Sequence, residues 1–266
     1  MKIILRLRNP VKNIIKKYTF FHKYKTYAII IKDNLYKEYF MNNYYKEYFE
    51  NMKIKESIMD GIICVDGVVG VGKSTLGKLI AEKYSMIFFE EPVVNNPILD
   101  KFYYDKKRYS FPLQIFFLNK RFKAMKEAAK INKCVMDRSI YGDVIFSRML
   151  MEDGDMTHEE FELYEELLYN MLEHIQKPKL MIYLETSVDS AMDKIKKRGR
   201  EYELVVPRGY WESLNANYRA YFESYNISDI LKINVDNMDF VSNFEDKEHI
   251  LKLIDNKIKE IENQTK

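Results

Sequence analysis

The sequence predicts an α/β fold: a five-stranded parallel sheet with helices on both faces. Three observations point there. Gly61 to Thr75 reads GIICVDGVVGVGKST, an apolar strand followed by a Gly-rich turn and a helix-like run. Beyond it, short apolar runs alternate with longer helical patterns, as expected of strands joined by crossover helices. The residues able to do chemistry sit at or soon after strand ends, where ligands gather in such sheets.

Taken in order, Ile62–Val65 read as the buried centre of the first strand. Gly67, Val68, Val69, Gly70, Val71, Gly72, Lys73 and Ser74 then satisfy G-x-x-x-x-G-K-[ST], with Thr75 leading into a helix that runs to Tyr84. Glycines let this loop turn tightly with its N–H groups inward at a helix N-terminus, which makes an anion nest. Lys73 can reach β- and γ-phosphates, and the Ser74 hydroxyl can ligate Mg2+. Met86–Glu90 reads as a second strand, Tyr109–Ile131 as a long helix and Lys133–Asp137 as a third strand. Ile140–Met151 and His158–Ile175 read as helices, the second opened by Thr157 with Glu160 three residues on. Lys179–Leu184 is a fourth strand. Val188–Lys197 is a helix ended by Gly199 as C-cap. Tyr210–Asn226, the strand Ile230–Val235 and a charged helix from about Lys247 to Ile261 complete the chain.

Residues 1–58 look unlike 59–266. No acid occurs before Asp33, and YKEYF appears twice, at Tyr36–Phe40 and Tyr45–Phe49. Two copies do not make a repeat protein. The stretch reads as a basic, aromatic-rich extension whose structure the sequence leaves open. A mitochondrial targeting segment would also be basic and acid-free, yet these cations are mostly Lys and no Ser precedes Ser57. Cytoplasmic location is the first expectation, and translation starting at Met52 or Met59 is an open alternative. A net charge of +3 is too small to argue for a nucleic-acid partner. No apolar run approaches a membrane span, so stable insertion is not expected. Cys64 and Cys134 lie in strand-like runs and read as reduced core thiols. His22, His158, His174 and His249 form no spaced cluster.

Three further motifs carry chemistry. Glu91 ends the second strand in Glu90-Glu91-Pro92-Val93; read alone it is a solvated acidic turn, but beside a phosphate loop it is placed as a general base. Asp137-Arg138-Ser139 ends the third strand. Alone it reads as a helix cap with a surface ion pair; functionally, Asp137 can hold Mg2+ through water and Arg138 can stabilise charge on a moving phosphoryl group. Lys194 to Glu203, KIKKRGREYE, is either a solvated helix end or a basic lid in which Lys194, Arg198 and Arg200 fold over a triphosphate. Phe111, Phe116, Phe117 and Phe122 at helical spacing read as core, and Trp211 as packing.

The joint order decides between these readings. P-loop, EPV, an aromatic helix bearing Gln114, DRS, then RGRxxE resembles the deoxynucleoside kinase family, over about Gly61 to Tyr221. The bacterial deoxyadenosine/deoxyguanosine kinase branch is the nearest match, through Asn96-Pro97 and the FYYDKKRYSFPLQ stretch at Phe102–Gln114. The resemblance implies a P-loop kinase fold with a short basic lid, and transfer of the γ-phosphate of ATP, with Mg2+, to the 5′-hydroxyl of a deoxynucleoside. Purine deoxynucleosides are the expected substrates and nucleotide salvage the expected role. It also implies site roles. Glu91 matches the base on the 5′-hydroxyl, Arg138 the arginine beside it, and Asp137 the acid that orients Mg2+. Tyr103 and Glu203 match the contacts to the sugar 3′-hydroxyl. Gln114 matches the amide that reads the base, with Arg121 and Asp143 as a charged pair at the pocket end and Phe146 stacking. Arg198, Arg200 and, more weakly, Lys194 match the lid. A homodimer through the helices at 140–175 is implied as well. Asn96 stands where the mammalian-type branch has Trp, and Phe146 comes third after Asp143 rather than fourth; both weaken any claim of a deoxycytidine or thymidine preference.

Three alternatives stand beside this. A thymidylate-type monophosphate kinase shares the loop and a DR motif but carries a Gly-rich sequence where this chain has Glu91-Pro92-Val93. A non-catalytic subunit on the same fold is hard to reconcile with intact Lys73, Ser74, Glu91 and Arg138. A regulatory GTPase would need N-K-x-D, and Asn119-Lys120 is followed by Arg121-Phe122.

Overall fold

The computed structural model of the chain describes residues 60–91 and 96–264. The extension at 1–58 and residues Pro92 and Val93 of the EPV motif therefore lie outside the described residues. Five strands form one sheet: β1 (Gly61–Gly67), β2 (Ile87–Phe89), β3 (Lys133–Asp137), β4 (Leu180–Glu185) and β5 (Asp229–Asn234). Their order is β2-β3-β1-β4-β5 and every neighbouring pair is parallel. Every residue of β1 and β3 is buried. With helices on both faces a central strand has no wet side, so Ile62–Val65 is an unbroken apolar run rather than an alternating one.

The helices are α1 (Lys73–Tyr84), α2 (Leu99–Tyr104), α3 (Lys106–Ile131), α4 (Asp143–Glu152), α5 (His158–Leu172), α6 (Val188–Arg198), α7 (Glu201–Leu204), α8 (Arg208–Glu223) and α9 (Phe244–Gln264). Most bounds fall within a few residues of the sequence reading. Thr157 forms the expected capping box with Glu160, and Gly199 closes α6 at φ 73°. Three differences have physical causes. α2 and α7 are too short to show a helical period, so periodicity alone does not find them. α3 begins three residues earlier than expected because the Asp105 carboxylate accepts a hydrogen bond from Arg108 N at 3.2 Å and caps it. The expected Ile140–Met151 helix is split into a 3-10 turn, Ile140–Gly142, followed by α4. There Ser139 caps the turn, accepting from Gly142 N at 3.2 Å.

The main core fills the space between sheet and helices, including Trp211, Cys64 and Cys134. A second cluster of Phe102, Leu113, Leu150, Met156 and Phe161 joins α2, α3, α4 and α5. It forms the apolar wall of the cleft described next.

Candidate active site

Val65 on β1 sits opposite Asp137 on β3, and Phe89 on β2 sits opposite Met136. This register brings the phosphate loop, the Asp137-Arg138-Ser139 turn and Glu91 to one edge of the sheet. They open on one cleft of about 520 Å³. It is lined by Val69, Gly70, Gly72, Lys73, Ser74 and Thr75, by Glu91, Tyr103, Gln114 and Arg121, and by Asp137, Arg138, Asp143, Phe146, Lys194, Arg198, Arg200 and Glu203. Every site residue expected from the sequence thus lines the cleft, except Gly67, Val68 and Val71. Val68 and Val71 are buried and support the loop from beneath.

Gly70 and Gly72 have φ 84° and 111°, a region closed to most side chains. At Gly72 an added Cβ would come within 2.7 Å of the Phe240 ring. Lys73 is buried and donates to the carbonyls of Gly67 at 2.9 Å and Val68 at 2.8 Å. Burial, then the nearby Arg138 charge, bring its ammonium down to about 8. Ser74 Oγ donates to Asp137 Oδ2, while Asp137 Oδ1 is buried with no hydrogen-bond partner among the described residues. A hydroxyl beside a carboxylate with one free oxygen suits Mg2+, which takes few protein ligands and keeps several waters.

Glu91 and three cations form the charged centre. Glu91 Oε1 accepts from Arg121 at 2.7 Å and lies 2.8 Å from Arg138 Nε, the latter as an ion pair without hydrogen-bond alignment. Burial would raise its carboxyl, but Arg138, Arg121 and Lys73 outweigh burial and hold it at about 2. Arg121 also pairs with Asp143, whose Oδ2 has no hydrogen-bond partner among the described residues. For Asp143 burial outweighs that ion pair, and the carboxyl is pushed up to about 6. The guanidinium of Arg138 sits 5.0 Å from the Phe146 ring centre, a cation–π contact. Arg138 is 3% exposed, so the plain reading of DRS as a surface ion pair is wrong.

The opposite rim is aromatic and basic. Tyr103 packs on Tyr202 with ring centres 5.1 Å apart. Glu203 is buried and gathers both expected lid arginines, Arg198 at 2.5 Å and Arg200 at 3.4 Å. Lys194 Nζ is buried with no hydrogen-bond partner among the described residues, and burial lowers its pKa against the pull of Asp236 and Asp239. Asn96 has no base-facing role in this geometry: its Oδ1 accepts from Ile98 N and Leu99 N at 2.9 and 3.1 Å and turns the chain into α2.

Sequence reasoning missed some lining residues. Phe117, expected as core, faces the cleft and carries Arg121 5.1 Å from its ring centre. A helix kept dry on one side by a cleft wall has the same apolar period as one packed on a core, so periodicity could not separate them. Tyr202, Tyr210, Phe102 and Leu113 also line the cleft. The last two belong to the stretch quoted for the resemblance; Tyr202 lies within the lid motif and Tyr210 just after it, and neither had a signal of its own.

A triphosphate loop and a half-buried carboxylate two strands over, with an amide-bearing apolar pocket beyond it, define a P-loop phosphotransferase whose acceptor is a small alcohol. Comparison with known proteins narrows this. The family profile described as "Deoxynucleoside kinase" matches residues 63–259. A deoxyadenosine kinase of Lactobacillus acidophilus is 37% identical over 211 residues, covering 76% of this chain and 98% of that protein. A deoxyguanosine kinase of Lactobacillus johnsonii is 35% identical over 209 residues, covering 75% and 93%. The structure of deoxyadenosine kinase from M. mycoides with bound dCTP superposes with a TM-score of 0.64 at 32% identity, covering 73% of this chain and 99% of that one. The chain belongs to the deoxynucleoside kinase family, and is an ATP-dependent phosphotransferase acting on the 5′-hydroxyl of a nucleoside. The monophosphate-kinase, GTPase and structural-subunit alternatives fall with that assignment. Among the described residues no helix is long and apolar enough to cross a membrane.

Proposed function

We propose that the chain converts a purine deoxynucleoside, deoxyadenosine or deoxyguanosine, to its 5′-monophosphate for salvage, with Mg2+ and ATP, in the cytoplasm. The observation that carries this reading is the shared cleft: the phosphate loop, the Glu91–Arg138–Arg121 centre and the Gln114 amide all open on it. The names of the L. acidophilus and L. johnsonii relatives support the purine preference. A mitochondrial address finds no support in these bacterial relatives.

In this reading the loop amides and Lys73 hold the β- and γ-phosphates. Ser74 and, through water, Asp137 would hold Mg2+, which would supply positive charge to neutralise the phosphate oxygens. Glu91 orients the 5′-hydroxyl and takes its proton. A carboxylate held near 2 is a weak base, yet phosphoryl transfer passes through a loose transition state and asks more for positioning than for basicity. Arg138 stabilises charge on the transferring group. Tyr103 and Glu203 hold the 3′-hydroxyl. Gln114 can both donate and accept, and so reads a paired donor and acceptor on a base edge. Arg121 and Asp143 close the pocket end, and Phe146 stacks on the base. Lys194, Arg198 and Arg200 cover the triphosphate and exclude water. Residues 59–266 form the kinase domain and 1–58 an adjoining extension. The homodimer reading draws support from Leu163 and Tyr169, large side chains 56% and 57% exposed on α5. Sedimentation of the purified protein tests it.

The main test is phosphorylation of the four deoxynucleosides with Mg-ATP, using the full chain and a chain beginning at Met52. Deoxyadenosine or deoxyguanosine should be turned over fastest. A pyrimidine turned over best would overturn the base assignment, and an inactive shorter chain would make the extension part of the kinase domain.

A further inference from the structure

Asp66, the residue just before the phosphate loop, is fully buried and was given no role by the sequence motifs. Each of its two carboxylate oxygens holds a different part of the site. Oδ1 accepts from Gly67 N at 2.8 Å, where the phosphate loop begins, and from the Tyr218 hydroxyl at 3.4 Å. Oδ2 accepts from Ser139 N at 3.0 Å and Ser139 Oγ at 2.8 Å. Tyr218 in turn accepts a hydrogen bond from Arg138 NH1. One carboxylate thus ties the phosphate loop, the turn that carries Arg138, and the Arg138 guanidinium itself.

Two features show how closely this tie is built. Arg138 has φ 72°, a left-handed conformation that a residue with a Cβ keeps only when its surroundings hold it there. The Ser139 bonds to Asp66, and Arg138 N donating to Val65 O at 2.9 Å, are such restraints. Gly142 packs so tightly that an added Cβ would lie 2.7 Å from Asp66 Oδ2.

We propose that Asp66 and Tyr218 are positioning residues for phosphoryl transfer. They hold the Arg138 guanidinium at a set distance from the phosphate loop, so that donor and acceptor sides of the reaction keep one register. Neither is among the described residues that line the cleft. The inference rests on the reading of Arg138 as the arginine that serves the transferring group. A guanidinium displaced by a fraction of an ångström loses far more transition-state than ground-state stabilisation, so the effect belongs in kcat.

The experiment measures kcat, KM for ATP and deoxyadenosine, and thermal stability for Tyr218→Phe, Arg138→Lys and the double variant. Tyr218→Phe removes only the hydroxyl and keeps the ring that packs on Phe222. It should lower kcat roughly 10- to 100-fold with both KM values within about twofold. Arg138→Lys should lower kcat at least as much, because a point charge cannot replace the planar fork. The double variant should be no slower than Arg138→Lys alone, since the hydroxyl acts through the guanidinium. Unchanged kcat in Tyr218→Phe, with Arg138→Lys impaired, overturns the proposal alone. Multiplying losses in the double variant also overturn it, by showing that the hydroxyl acts elsewhere. Unchanged kcat in Arg138→Lys removes the reading of Arg138 itself. Asp66→Asn gives a second check: an amide presents one acceptor oxygen where the carboxylate presents two, so it should reproduce the kcat loss and add a loss of ATP affinity.

Discussion

Replacing Glu91 by Gln changes one charge and almost no volume, and the structure fixes what should follow. The carboxylate faces Arg121 at 2.7 Å and Arg138 at 2.8 Å, both guanidinium side chains being at most 6% exposed. Its pKa is lowered from 4.5 to about 2. A depressed acid stabilises the fold above its unfolded value and loses that contribution as pH falls through the folded one. The window is therefore about 4.5 down to 2. The gap corresponds to about 3 kcal/mol, an upper figure because partly exposed ion pairs are screened. Arg121 keeps Asp143 in the variant, whereas Arg138 loses its only carboxylate ion pair among the described residues. Denaturant melts at several pH values should show Glu91→Gln less stable than the parent above pH 5, by up to that amount. The difference should shrink towards zero near pH 2. In the same protein kcat should fall at least ~10²-fold, as for a lost general base, with nucleoside affinity near normal. A stability difference that does not vary with pH would refute the charge argument. Parental kcat would remove Glu91 from the mechanism.

Three other perturbations have definite expected outcomes. Gln114→Ala should raise KM for deoxyadenosine well above any change in KM for ATP; equal effects would mean the base pocket has been misplaced. ATP affinity, measured by titration across pH, should fall as pH rises through about 8, where Lys73 loses its proton, and Lys73→Arg should flatten that profile. The same depressed lysine acts on folding with the opposite sign: the unfolded chain keeps this proton up to about 10.5, so its contribution makes the ligand-free protein more stable as pH rises from 8 to 10.5. Gly72→Ala forces a Cβ onto φ 111° and against Phe240, so the melting temperature should drop by roughly 5 °C and KM for ATP should rise; an unshifted melt would show the loop has room to relax.

Local spacing accounts for most of what could be read ahead of the structure. A G-x-x-x-x-G-K-S loop, a Thr157–Glu160 capping box and a Gly199 C-cap are complete within a few residues, so their geometry follows from nearest-neighbour chemistry. The cleft residues Glu91, Asp137 and Arg138 were legible for a different reason: in a parallel sheet the residues that follow the strands open on one edge, whereas Gln114, inside α3, was legible only through the family resemblance. Short elements escaped because α2 and α7 span too few residues to show a period. Phe117 escaped because a cleft wall and a core wall look alike in one dimension.

The chain alone determined the parallel α/β architecture, the triphosphate loop and the acid and arginine that face it. Only the tertiary structure decided that Tyr218 meets Asp66, across 152 residues of sequence, and that Arg138 is buried between Glu91, Phe146 and Tyr218. Spacing along a strand or helix dictates which way a side chain points. Which partner it meets depends on how distant elements pack, and no local pattern carries that information.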